Sequence, residues 1–318
     1  MKRVLLLVSL LLPFFLGATN SENYAGIRTD TVVVKTYEFV SRNGKPLLMD
    51  VYSPSNPRPD SACVVYMFGG GFVMGSRKVD SLFMYRMAEK GYTAVSIDYR
   101  LHLKEVDFDT IPITKTQGVF RDAINIAASD CAAAIGFLYE KSEELDISKS
   151  KIVLCGCSAG AIAVLQLDYC RANGLPPAKE LPVDFVPACV VAFSGAVYAD
   201  GGTPKYRRPP APTFFLHGDK DKIVNYKKFP PLLRSGLYGP KKLHKVFENN
   251  DYPHWFFVFE GIGHEVAGLC RYMSDEMDAF VSKTLNGKQM FYDATVRDSN
   301  VRPTKWSTMS VFDLYLGE

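Results

Sequence analysis

The stretch Ile152–Gly160 constrains this chain more than any other. An apolar run, Ile-Val-Leu-Cys, leads into Gly156-Cys157-Ser158-Ala159-Gly160, and a helix-forming segment, Ala161–Tyr169, follows at once. A chain that passes from strand to helix in so few residues must turn sharply. Glycines on both sides of the serine let the backbone do so without side-chain clashes. Such a turn lifts the Ser158 hydroxyl clear of a sheet, and the helix N-terminus beyond it supplies free N–H groups and a positive dipole end where an oxyanion would form. The pattern predicts a nucleophile elbow with Ser158 as the nucleophile.

The rest of the chain alternates between strand-like and helix-like segments. Thr31–Val40 and Leu47–Tyr52, joined through Asn43-Gly44, read as a hairpin. Ala62–Phe68, Thr93–Asp98, Ile152–Cys157, Ala188–Phe193, Thr213–Leu216 and Trp255–Phe259 read as buried strands. Val79, Leu82, Phe83 and Met87 have helical spacing closed by Gly91, and Gly118–Leu145 carries a helical stripe through Ala123, Ala127, Cys131, Ala134 and Leu138. Crossovers between the last six strands force parallel pairing. The expected fold is therefore α/β, an eight-stranded, mostly parallel sheet with helices on both faces. The Pro-, Gly- and charge-rich segments Gly174–Val186 and Asp200–Pro212 are expected as loops at the carboxyl edge of that sheet, where ligands bind in such folds.

A serine nucleophile needs a base, and strand polarity sorts the five histidines. His254 precedes its strand, and His244 lies in a basic loop further upstream. His102 and His217 follow strands but fit the chain order poorly. His264 follows the last core strand in the loop Glu260-Gly-Ile-Gly-His264 and is the expected base. An imidazole base needs a carboxylate to hold its tautomer. Asp221, in His217-Gly-Asp-Lys-Asp221, is preferred; Asp219 is the alternative, able to shape the turn instead, and Glu260 is a third candidate. Phe68-Gly69-Gly70-Gly71-Phe72 follows the third strand at the same edge. The Gly70 and Gly71 amides, with that of Ala159, are the expected oxyanion donors. Losing one such donor typically costs about 2.7–4 kcal/mol of transition-state stabilisation.

Lys2 and Arg3, the apolar run Val4–Leu16 and the small pair Gly17-Ala18 read as a signal peptide over residues 1–18. The run is short for a membrane span, and no cysteine follows it to carry a lipid, so no stable membrane insertion is expected after cleavage. Residues 19–318 are then a single domain, with a C-terminal extension from about residue 286 whose pattern shows no role. A periplasmic or secreted location follows. The net charge of +3 and the lack of a basic patch interleaved with aromatics argue against a nucleic-acid partner. Several of the seven cysteines lie in core strands and are expected as free, buried thiols. No local metal-ligand spacing occurs, so neither a metal nor an organic cofactor is expected.

Four blocks resemble the α/β-hydrolase superfamily: Phe68-Gly-Gly-Gly-Phe72, Ser96-Ile-Asp-Tyr-Arg-Leu101, Gly156-Cys-Ser-Ala-Gly160, and His217-Gly-Asp-Lys-Asp221 with Gly263-His264. The resemblance covers about Val51 to Ser282. It is strongest to the carboxylesterase branch that holds hormone-sensitive-lipase-like enzymes and bacterial carbohydrate esterases. It implies a serine esterase acting through an acyl-enzyme with the triad Ser158, Asp221, His264. The short loops leave no room for a large lid and favour small or accessible acyl esters, and export suits acetyl or feruloyl esters of carbohydrates. Asp98 and Arg100 would support the floor of the site. Phe68 stands where that family usually has His, which puts the anchoring of the glycine loop in question. A serine peptidase of the prolyl-oligopeptidase type and a non-catalytic binding protein on the same fold are the competing readings.

Overall fold

The computed structural model describes residues 32–288, 291–298 and 300–315; the expected signal peptide lies outside them. The chain opens with the hairpin β1 (Val32–Arg42) and β2 (Lys45–Pro54). Asn43 and Gly44 both have positive φ, 52° and 73°, as the tight turn between twisted strands requires. There follow β3 (Cys63–Met67), α1 (Ser81–Glu89), β4 (Thr93–Ile97), α2 (Ile113–Glu140), β5 (Ile152–Cys157), α3 (Ala159–Asn173), β6 (Cys189–Phe193), β7 (Val197–Ala199), β8 (Thr213–Gly218), β9 (Lys228–Phe229) and β10 (Gly236–Tyr238). The chain then runs through α4 (Pro240–Glu248), β11 (His254–Phe259), α5 (Ser274–Leu285), β12 (Phe291–Val296) and α6 (Val311–Tyr315).

Nine strands form the main sheet in the order β1-β2-β4-β3-β5-β6-β8-β11-β12. The hairpin joins β4 antiparallel, and every pairing from β4 to β12 is parallel. The expected count of eight is one short. The missing strand is β12, which lies at the sheet edge with mostly exposed residues and so carries no apolar run. A second, three-stranded sheet, β7-β10-β9, was likewise not expected from the sequence.

Residues of β3, β4, β5, β6 and β8 are all buried. Each fully buried aliphatic side chain there contributes about 1.5–3 kcal/mol. Successive residues of a strand face opposite sides. On β5, Cys155 Sγ meets Met277 of α5, while a side chain at Gly156 would run into Gly160 and Ala161 of α3. Helices therefore cover both faces. The loops Gly174–Val186 and Asp200–Pro212 are not the site-forming loops expected. They run into the amino ends of β6 and β8, and the Arg208 amide donates to Ala172 O near the end of α3. The carboxyl ends of β3, β5, β8 and β11 converge on the opposite rim.

Candidate active site

Ser158 sits at the turn between β5 and α3 with φ 51° and ψ −120°, a conformation L-residues rarely adopt. The surrounding backbone imposes it. The Ser158 amide donates to Phe193 O at 2.8 Å, and its carbonyl accepts the Ile162 amide at 2.9 Å. A Cβ at Gly156 would lie 2.5 Å from Gly160 C, and one at Gly160 would lie 2.0 Å from Met67 O. Both glycines are needed for close approach, because backbone atoms on the far side have no freedom to yield.

The Ser158 hydroxyl lies 2.8 Å from His264 Nε2, and His264 Nδ1 lies 2.8 Å from Asp221 Oδ2. With Nδ1–H committed to the carboxylate, Nε2 carries the lone pair and faces the serine hydroxyl as an acceptor. Asp221 is itself fixed: its Oδ1 accepts the Ile223 and Val224 amides at 3.0 and 2.9 Å. Complete burial would raise its pKa. The facing His264 and the hydrogen bonds from His217 and His264 outweigh that and hold it well below the usual carboxylate range.

His217, passed over as a base for its place in the chain, has a different position. It lies beneath the triad, with Nε2 2.8 Å from Val224 O and 3.3 Å from Asp221 Oδ2. Asp219 accepts the Gly261 amide at 2.8 Å and so ties the Asp221 loop to the His264 loop. Glu260 pairs with Arg297 at the surface. His244 and His254 meet Asp293 at the amino end of β11, and His102 is exposed.

Gly70 and Gly71 line the same cavity as Ser158 and His264. Ala159 is the first residue of α3, where amides have no partner within the helix. The Gly70 carbonyl accepts the Val73 and Met74 amides at 3.0 and 3.1 Å, so the Gly71 amide of the same planar peptide points the other way. Phe68 replaces polar anchoring with packing. Its ring stacks on Tyr99 at 4.4 Å, and the Tyr99 hydroxyl donates to Phe68 O at 2.9 Å. Asp98 and Arg100 hold this floor through Arg77 and Asp130, respectively.

Described residues of the expected C-terminal extension, among them Val301, Thr304, Trp306 and Tyr315, build much of the remaining wall. Glu265, next to the base, is buried and accepts from the Gly263 amide (2.8 Å), the Thr304 amide (2.6 Å), Thr304 Oγ1 (2.7 Å) and Ser307 Oγ (2.9 Å). Tyr315 donates its hydroxyl to Gly71 O at 2.7 Å. Sequence reasoning missed Glu265, Ser307 and Tyr315; the one local signal was an acidic residue directly after the histidine. The cavity they close measures about 970 Å³, with Leu103, Phe108, Phe259, Val301 and Trp306 among its walls. Asp80 and Arg271 also line it: Asp80 accepts from the Tyr66 hydroxyl at 2.6 Å and pairs with Arg271 at 3.0 Å. All seven cysteines are free and buried.

A native esterase from Thermogutta terrifontis superposes with TM-score 0.56 at 18% identity, over 83% of this chain and 97% of that one. A truncated carbohydrate esterase from gut microbiota superposes with TM-score 0.56 at 15% identity, over 82% of this chain and 99% of that one. The chain has the α/β-hydrolase fold. Residues 49–167, from β2 to α3, also match the family model described as BD-FAE. Among curated relatives, Lipase 2 of a Moraxella species is 34% identical over 102 residues, 32% of this chain and 20% of its own length. The chain spans under a quarter of the length of the curated relatives it matches, from 7% to 23%. On this fold Ser158, Asp221 and His264 lie just beyond the ends of β5, β8 and β11. Among the described residues, no helix is long and apolar enough to cross a membrane.

Proposed function

We propose that this α/β-hydrolase is an exported serine carboxylic-ester hydrolase that works through an acyl-enzyme. One observation carries the reading: Ser158, His264 and Asp221 form an unbroken chain of 2.8 Å contacts opening into a cavity walled by Gly70 and Gly71. Ser158 Oγ attacks the ester carbonyl as its proton passes to His264 Nε2. The Gly70, Gly71 and Ala159 amides face the oxyanion. Collapse breaks the acyl–oxygen bond, His264 returns the proton to the leaving alkoxide, and water releases the acid by the same steps in reverse. Asp221 stabilises the imidazolium formed along the way.

The cavity volume is that of a site for a drug-sized ligand, and its walls are largely apolar. An aromatic acyl group such as feruloyl fills it better than acetyl. The alcohol is proposed as a carbohydrate, in line with the carbohydrate esterase among the structural neighbours. Residues 1–18 are proposed as the export signal. The intact triad favours catalysis over a decayed binding protein.

The test is hydrolysis of nitrophenyl acetate, nitrophenyl butyrate and a methyl hydroxycinnamate by wild type and Ser158→Ala. The expected result is turnover by wild type alone, with the cinnamate preferred by kcat/KM. Equal rates for the two proteins would end the acyl-enzyme reading. A preference for acetate would end the aromatic-acyl reading and leave the triad standing.

A further inference from the structure

We propose a zinc-class metal site at the amino end of β11, formed by His244, His254 and Asp293. The three residues come from α4, β11 and β12, and one ligand atom from each lies within 4.8 Å of the other two. His244 Nε2 is 3.0 Å from Asp293 Oδ1, and His254 Nε2 is 3.9 Å from the same oxygen. Ligand atoms held tetrahedrally at zinc's usual bond lengths of about 2.0–2.2 Å stand roughly 3.3 Å apart. Asp293 is on the exposed edge strand, so small side-chain rotations close the difference.

The outer contacts of both imidazoles point the same way. His254 is buried, and its Nδ1 is 2.8 Å from Tyr252 O, which fixes the proton there and leaves the Nε2 lone pair facing Asp293. His244 Nδ1 lies 3.5 Å from Glu248 Oε2, one turn along α4, so its Nε2 also faces Asp293. A ring nitrogen turned to a carbonyl or carboxylate while the other faces the site is the usual arrangement of metal-bound histidine. Packing fixes the rings as well: His244 stacks on Phe256 at 4.3 Å and meets His254 edge-on at 4.9 Å. On binding, the metal takes the place of the proton between His244 Nε2 and Asp293, and water completes the coordination.

The site is structural rather than catalytic. It lies at the opposite end of β11 from the His264 loop, about 17 Å away at roughly 3.3 Å per residue. What it joins is informative: α4, the largely buried strand β11 and the exposed edge strand β12, which precedes the wall-forming Val301, Thr304 and Trp306. A metal there clamps β12 to the body of the sheet. The inference does not depend on the esterase reading.

Metal-stripped full-length protein is titrated with ZnCl₂ by calorimetry, and its melting temperature is followed in parallel. Co²⁺ is added separately to read its visible absorption. Expected are one Zn²⁺ per chain with micromolar or tighter affinity, a melting temperature raised by a few degrees, and Co²⁺ bands of four-coordinate type. Asp293→Asn, a surface change that leaves the core intact, weakens binding tenfold or more, as does His254→Gln. Nitrophenyl ester hydrolysis by Asp293→Asn without metal matches that of wild type. Absence of binding, equal affinity in Asp293→Asn, or loss of binding in His264→Ala instead would overturn the site.

Discussion

The two sides of the catalytic rim share close backbone contacts but differ in what is added to them. On the nucleophile side, β3, β5 and α3 approach so closely that glycine is required. Gly156 and Gly160 leave no room for a methyl group, and Ser158 is forced into a positive φ by its neighbours. On the base side, His264 sits on the loop after β11, where backbone also approaches closely: a Cβ at Gly218 would lie 2.2 Å from Ile262 O, and one at Gly263 would lie 2.3 Å from Ser307 Cα. Side-chain hydrogen bonds add to this: Asp221, itself met by His217, holds His264 from one direction, and Glu265 with Thr304 and Ser307 holds its loop from the other. Steric contact fixes the backbone on both sides in an all-or-none way, and the base side adds a side-chain hydrogen-bond network whose loss is graded. Substitutions in the two kinds of contact should therefore fail in different ways.

The largest expected effect is at the acid. Asp221→Asn presents an amide N–H to His264 Nδ1, favours the wrong tautomer and lowers kcat on the order of 10⁴-fold, with folding retained. It also changes the acid limb of stability. A carboxylate whose folded pKa is depressed contributes stability above its unfolded pKa, and that contribution is lost as pH falls toward the folded value. Wild type should therefore lose stability progressively below about pH 4, while Asp221→Asn loses less over the same window. Denaturant unfolding from pH 6 to pH 2 reads the difference.

Gly160→Ala tests the steric contact. Its methyl group would meet Met67 O at 2.0 Å, and only a backbone shift could relieve that. A stability loss of about 3–4 kcal/mol or failure to fold is expected, read by thermal melting and soluble yield. Glu265→Gln tests the graded network. One oxygen of the buried carboxylate becomes a donor facing the Gly263 amide, at a cost of about 2–3 kcal/mol. The protein should still fold, with a lowered melting temperature and kcat reduced more than KM is raised. Tyr315→Phe is the mildest: it removes one hydrogen bond to Gly71 O, worth about 1 kcal/mol, and should lower kcat by less than about tenfold.

The same contrast explains what could be read in advance. Close backbone approach leaves glycines at fixed offsets, so the elbow and the Gly70-Gly71 loop were legible from residue type alone. Asp221 and His264 were legible because parallel strand polarity places their loops on the rim with Ser158. Hydrogen-bond networks between distant segments leave no such mark. Glu265 reaches Thr304 and Ser307 about 40 residues on, and a tail of mixed polarity gives no sign that it will be a wall. The strand β12 escaped for a related reason, since an exposed edge strand need carry neither an apolar run nor strict alternation. Chain order rightly sets His217 aside as a base, but it says nothing of a second imidazole against the carboxylate of Asp221.

The central claim is that Ser158 is the nucleophile and His264 activates it. It is tested most directly by treating the protein with a fluorophosphonate, digesting it and locating the adduct by mass spectrometry. A single phosphonyl group on Ser158 is predicted, formed far more slowly in His264→Ala and not at all in Ser158→Ala. An adduct on another residue, or equal labelling rates in wild type and His264→Ala, would contradict it.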